Sequence, residues 1–118
     1  MSRPRKCRKV CCLPRVTEFH PKDKENENII ILTVDEYETI RLIDKEGLSQ
    51  KECADYMEVA RTTVQQIYNS ARVKIANALV DGTGIRIEGG NYTLCSDDEK
   101  KCTYCSCKRN CNTCVTND

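Results

Sequence analysis

Six of the ten cysteines stand in the C-terminal stretch as Cys95-x6-Cys102-x2-Cys105-x-Cys107-x3-Cys111-x2-Cys114. Two Cys-x-x-Cys pairs, Cys102/Cys105 and Cys111/Cys114, offer enough thiolates for a tetrahedral zinc with bonds near ~2.3 Å. The pairs are closer together than in ordinary zinc ribbons, and Cys107 falls between them. Cys102, Cys105 and Cys107 with Cys111 or Cys114 would serve an iron–sulfur cluster, whose thiolate ligands suit such dense spacing. The expected cofactor is therefore Zn2+ or an iron–sulfur cluster, weighed against a Cys-rich segment with incidental metal affinity. Cys7, Cys11 and Cys12 form a second group. They complete a site with the tail, pair as a redox switch or bind nothing, and spacing does not choose among these. Cys53 falls on the inner face of a short helix and reads as a small core residue. His20 is the sole histidine, so neither a His-rich zinc site nor a His-based triad can be built.

A second constellation is polar and helical. Arg61, Thr62, Thr63, Gln65, Gln66, Asn69 and Arg72 fall on or beside one face of a predicted helix whose other face is apolar. Arg pairs bidentately with guanine, Gln or Asn with adenine, and Thr touches phosphate or the thymine methyl. Such a helix suits the major groove. The plainer reading is an amphipathic helix with a solvated face, but this face carries Thr, Gln, Asn and Arg instead of the usual Glu and Lys.

Charge supports the distinction. Net charge is only +1, yet Arg3, Arg5, Lys6, Arg8, Lys9 and Arg15 occupy residues 1–16 without an acid. Residues 34–58 carry eight acids, and residues 59–80 carry none, with Arg61, Arg72 and Lys74 as their cations. Basic segments set apart from an acidic scaffold are the footprint expected for phosphate. Arg3, Arg5, Lys6, Arg8 and Lys9 are assigned to a flexible arm along the DNA backbone or minor groove.

The elements that must position these residues follow from capping and periodicity. Thr33-Val34-Asp35-Glu36 fits a capping box and opens a helix with Val34, Tyr37, Ile40 and Ile43 inside, stopped by Gly47. Ser49-Gln50-Lys51-Glu52 repeats the box and opens a short helix through Met57, with Cys53, Ala54 and Met57 inward. A third helix is expected from about Arg61 to about Val80, with Val64, Ile67, Tyr68, Ala71, Ile75 and Leu79 as its buried line. Ile29–Leu32 reads as a short strand. Ile85–Glu88 and Tyr92–Leu94 alternate across Gly89-Gly90-Asn91 as a predicted hairpin. Arg86 on that hairpin could touch phosphate as a wing, although a strand that merely covers the core edge is the favoured reading.

Length and composition bound the rest. At 118 residues, with 39% hydrophobic and 31% charged, the chain has room for one core plus tails. No stretch approaches the ~18 apolar residues of a membrane span. The basic start lacks the apolar run of an export signal, so a cytoplasmic, reducing location is expected, where thiols bind metal or do redox chemistry. Without a phosphate-binding Gly loop, a general-base His in context or an unexplained carboxylate pair, the chain is read as a non-enzyme.

The stretches RPRKCRKVCCLPRVTEFHP, LTVDEYETIRLIDKEGLSQKECADYMEVARTTVQQIYNSARVKIANALVDG and RIEGGNY resemble the domain-of-unknown-function 134 family of small prokaryotic proteins, over about residues 3–92. The middle stretch is similar to the promoter-reading helix-turn-helix of sigma factors. The resemblance implies a DNA-binding fold with double-stranded DNA as ligand and RNA polymerase as a further partner. Glu58 stands where such proteins commonly have Gly in the turn, and Ala60 where they have a Ser cap. Each departure costs about 1 kcal/mol. The Cys-x-x-Cys-x-Cys run of the tail is similar to the cluster motif of the superoxide-response regulator, with a different last gap.

The expected architecture is mainly α: a basic Cys-containing arm (1–28), a three-helix helix-turn-helix domain with a short β-hairpin (29–94) and a Cys-rich metal-binding tail (95–118). The expected function is sequence-specific binding of double-stranded DNA by a metal- or redox-responsive transcriptional regulator, with homodimerisation to enlarge the footprint. The alternative is a metal or iron–sulfur carrier whose helical unit binds a protein.

Overall fold

The computed structural model describes residues 8–11, 13–22 and 28–94. Along the chain run β1 (Arg8–Val10), β2 (Glu18–Phe19), β3 (Ile29–Leu32), α1 (Val34–Ile40), a π-helical continuation (Arg41–Lys45), α2 (Gln50–Met57), α3 (Arg61–Asp81), β4 (Gly84–Ile87) and β5 (Tyr92–Leu94).

Both capping boxes form. The Glu36 amide donates to Thr33 Oγ1 (3.3 Å) while the Thr33 amide donates to Glu36 Oε1 (2.9 Å). The Glu52 amide donates to Ser49 Oγ (3.0 Å) and the Ser49 amide to Glu52 Oε1 (2.9 Å). Two orphan donors are thereby satisfied at each helix start. The first helix does not stay α-helical to Gly47. Over Arg41–Lys45 it widens, with the Glu46 amide donating five residues back to Arg41 O. Within this turn Leu42 is buried and Ile43, partly buried, packs against the same cluster.

Two clusters make the core. Leu42, Cys53, Ala54, Tyr56, Met57 and Val64 join the three helices, and Cys11 from the N-terminal segment completes them. Val10, Leu32, Val34, Ala71 and Ile87 form the second, between strands and helices. Residues 8–11 are therefore woven into the fold: Val10 is fully buried, and β1 pairs in parallel with β5, Val10 opposite Leu94.

The predicted hairpin does not form. β4 is the centre of a sheet ordered β2-β4-β3, antiparallel to β2 and parallel to β3, while β5 pairs with β1. The intervening glycines carry the chain across the start of α1, where the Val34 amide donates to Gly89 O (3.0 Å). Gly90 has φ 102, and a Cβ there would stand 2.9 Å from Thr33 Cβ and against Asp35 Oδ1. The glycines permit close approach to a helix N-terminus instead of a tight return.

Leu79 also departs from expectation. It is 76% exposed, and Ala78 takes the buried place. Ala71 and Ala78, two turns apart, share a buried line, and Leu79 turns about 100° off it.

Candidate nucleic-acid interface

The segment Glu58-Val59-Ala60 joins α2 to α3. Glu58 takes the left-handed conformation at φ 62, the one non-glycine among the described residues to do so. Ala60 occupies the N-cap with extended backbone and no side-chain hydrogen bond. The chain thus keeps the turn geometry that Gly and Ser would favour and absorbs the strain locally.

From this turn α3 presents its sides as the periodicity predicts. Val64 and Ala71 have no exposure and Ile67 and Tyr68 are buried, anchoring one face. Arg61, Thr62, Gln65, Gln66, Asn69 and Arg72 are exposed, and Thr63 is half-buried. Thr62, Gln65 and Asn69 recur every three or four residues, so they share one stripe with Gln66 beside it. The first turn of α3 has no acid, which leaves the positive end of the helix dipole unopposed from within its own helix.

Two cations counted on this helix are tied to the scaffold. Lys74 Nζ lies 2.8 Å from Glu36 Oε1, and Ser70 Oγ donates to Glu36 Oε2 at 2.6 Å. Burial works against ionisation of Glu36, yet Lys74, Ser70 and the Thr33 amide together hold its carboxyl below the usual range. The Lys74 charge is spent on this bolt between α1 and α3, not on an outer surface. Arg72 donates to the Tyr68 hydroxyl oxygen (3.0 Å) and stacks 5.3 Å from its ring centre, while the Tyr68 hydroxyl donates to Asp44 Oδ1 (2.7 Å). The bond to Asp44, then burial, raises the Tyr68 phenol above its ordinary value. This relay braces an exposed Arg72 at the edge of the polar stripe.

The acidic stretch 34–58 is not all solvated surface. Asp35, Glu36 and Glu38 are buried. Glu38, wholly unexposed, accepts from Arg41 Nη2 (2.7 Å) and Nε (2.9 Å) and from the Cys11 amide (3.1 Å). Sequence reasoning placed Glu36 in a capping box and Tyr68 in the buried line of the third helix, but missed the bonds of Glu36 to Ser70 and Lys74, the Tyr68–Asp44 bond and the burial of Glu38. The spacing of Glu38 and Arg41, one turn apart, was the available signal.

The arm is divided. Arg3, Arg5 and Lys6 lie outside the described residues, and Arg8 begins β1. Lys9 is half-buried with Nζ 5.2 Å from the Tyr56 ring centre on α2, a cation–π contact that seats the base of the arm beside the α2 terminus. Arg86 sits in the central strand, bridged to Glu18 at 3.1 Å, so it has no wing to stand on. Glu18 also binds His20 Nε2 (2.9 Å); these two hydrogen bonds, His20's first, lower its carboxyl pKa.

Of the candidate metal ligands, Cys102, Cys105, Cys107, Cys111 and Cys114 lie outside the described residues. Among the described residues, no group of three or more His, Cys, Asp or Glu is placed to hold a metal. Cys53 is a core thiol with no exposure, its Sγ 3.7 Å from Met57 Sδ, pushed up to about 12 by burial and the Glu38 charge. Cys11 is disulfide-bonded. No described helix is long and apolar enough to cross a membrane.

Three helices, the third the longest, sharing a core with short mixed strands define a small, mainly helical protein class. The chain belongs to the family described as protein of unknown function DUF134, which it matches over residues 1–95. It is 59% identical over 97 residues to a UPF0251 protein of Desulfitobacterium hafniense strain Y51, covering 80% of this chain and 78% of that protein. A UPF0251 protein of Thermoanaerobacter sp. strain X514 is 51% identical over 102 residues, covering 85% and 90%. No solved structure matches. The Cys-rich tail begins where the family match ends.

Proposed function

We propose that this protein binds double-stranded DNA sequence-specifically through the N-terminal half of α3 and acts as a transcriptional regulator. In this reading α2, the Glu58–Ala60 turn and α3 form a helix-turn-helix, with α3 entering the major groove. One observation carries the reading: Thr62, Gln65, Gln66 and Asn69 are exposed on α3 while Val64, Ile67 and Ala71 hold its opposite face in the core. Amide side chains so placed have donors and acceptors to match adenine edges, and Arg61 and Arg72 flank them for guanine or phosphate. Arg3, Arg5, Lys6, Arg8 and Lys9 add backbone contacts from an arm whose base is seated next to α2.

RNA polymerase and a second copy of the chain are the proposed partners, and Zn2+ or an iron–sulfur cluster on Cys102, Cys105, Cys107, Cys111 and Cys114 is the proposed effector group. The alternative, a metal or iron–sulfur carrier with a protein-docking helical unit, draws on a different feature. Val73, Leu79 and Val80 are exposed on the second half of α3.

Selection of bound duplexes from a random pool by the full-length protein tests the proposal. An enriched motif is the expected result. Recovery of unenriched sequence, or no retention of duplex at low salt, contradicts it.

A further inference from the structure

We propose that Arg72 is a clamp for a backbone phosphate of the duplex and not a reader of bases, with Tyr68 as its positioning residue and Asp44 as the acceptor that orients the Tyr68 hydroxyl. The inference rests on the reading in which α3 faces DNA, and it adds a separate contact to that reading.

Arg61, Gln65, Tyr68 and Arg72 recur at steps of four, three and four, so they mark one flank of α3. At about 1.5 Å of rise per residue, Arg72 stands roughly 16 Å further along the helix axis than Arg61. Base edges are met by the N-terminal residues of a helix docked in this way. A cation that far behind them meets the sugar–phosphate wall of the groove.

The guanidinium is set in place before any duplex arrives. The Tyr68 hydroxyl donates to Asp44 Oδ1 at 2.7 Å, which leaves its oxygen to accept from Arg72 Nη1 at 3.0 Å. The guanidinium carbon also lies 5.3 Å from the centre of the same ring, within cation–π reach. Tyr68 is buried, and Asp44 comes from the π-helical turn after α1, so two elements share the support. Among the described residues no carboxylate is bonded to the guanidinium, and Arg72 stays exposed. Its charge is held without being neutralised, unlike that of Lys74, which pairs with Glu36 at 2.8 Å. With Nη1 given to Tyr68, the Nε–Nη2 edge is the pair of donors that matches two oxygens of one phosphate. Ordering this long side chain in advance removes that cost from binding.

The test follows the full-length protein on labelled duplexes of unrelated mixed sequence by fluorescence anisotropy over a salt series, because a phosphate contact does not depend on sequence. Arg72→Ala is expected to make the slope of log affinity against log salt shallower by about 0.9, the share of one phosphate, equally on every duplex. Arg72→Lys should keep the slope. Tyr68→Phe, which keeps the ring and loses the hydroxyl, should weaken binding about fivefold, the worth of one net hydrogen bond. In an Arg72→Ala background the same change should cost no affinity, which separates the placing of Arg72 from damage to the fold. No loss in Tyr68→Phe, or the same loss in both backgrounds, overturns the positioning role. Duplex binding with an unchanged slope in Arg72→Ala, or a loss that varies with base sequence, overturns the phosphate contact and leaves the reading of α3 standing. Wild-type protein that binds no duplex overturns both.

Discussion

Arg41 grips the fully buried Glu38 through two N–H donors at 2.7 and 2.9 Å, and the same carboxylate accepts the Cys11 amide. One ion pair thus closes the α1 terminus and pins the N-terminal segment beneath α2.

Glu38→Ala is expected to destabilise the protein by about 3–5 kcal/mol, because the partly buried guanidinium and the Cys11 amide lose their acceptor together. Urea denaturation measures it. A loss below about 1 kcal/mol, the range of an exposed pair, contradicts the structural role.

The turn before α3 should be improvable. Glu58→Gly relieves a left-handed non-glycine residue, and Ala60→Ser supplies a missing N-cap acceptor. Each is expected to raise stability by about 1 kcal/mol, read as a higher denaturation midpoint with unchanged m-value.

Gly89 and Gly90 should respond differently to alanine. Both have positive φ, but a Cβ at Gly89 meets open space whereas one at Gly90 meets Thr33 and Asp35. Gly89→Ala should cost about 1 kcal/mol and Gly90→Ala distinctly more. Equal losses would mean that the loop lifts off α1 without penalty.

Acid should loosen the α1–α3 bolt. The Glu36 carboxyl is lower in the folded chain than its ordinary 4.5, so its contribution to stability is full above that value. It is lost as pH falls through the folded pKa, since the unfolded state then binds the proton more readily. Lys74→Met should flatten this limb of the stability–pH curve, and an unchanged slope would contradict the ion pair.

Much of this scaffold was legible because its signals are local. Thr33/Glu36 and Ser49/Glu52 fix helix starts within four residues, and the Val64, Ile67, Ala71 spacing fixes which side of α3 is buried. The strands were less legible. Ile85–Ile87 and Tyr92–Leu94 alternate like a hairpin, but partner choice depends on β1, β2 and β3, distant in sequence. Burial of Glu38 was hidden for the same reason, since its donor Cys11 comes from a segment that reads as a basic arm. Leu79 misled because Ala78, one residue earlier, takes the buried place and leaves Leu79 turned off that line. Arg61, Thr62, Gln65, Gln66 and Asn69 were placed correctly on the exposed side, whereas the cations of α3 were overcounted until Lys74 met Glu36.

The central claim is that the exposed amides of α3 read bases. Fluorescence anisotropy of wild type, Gln65→Ala and Gln66→Ala against the selected duplex and base-substituted versions tests it most directly. Each variant is expected to lose about 1–3 kcal/mol on the selected duplex and to discriminate less among the substituted ones, with the salt slope unchanged. Affinity equal to wild type on every duplex, or an equal loss on all of them, would contradict base readout by this helix.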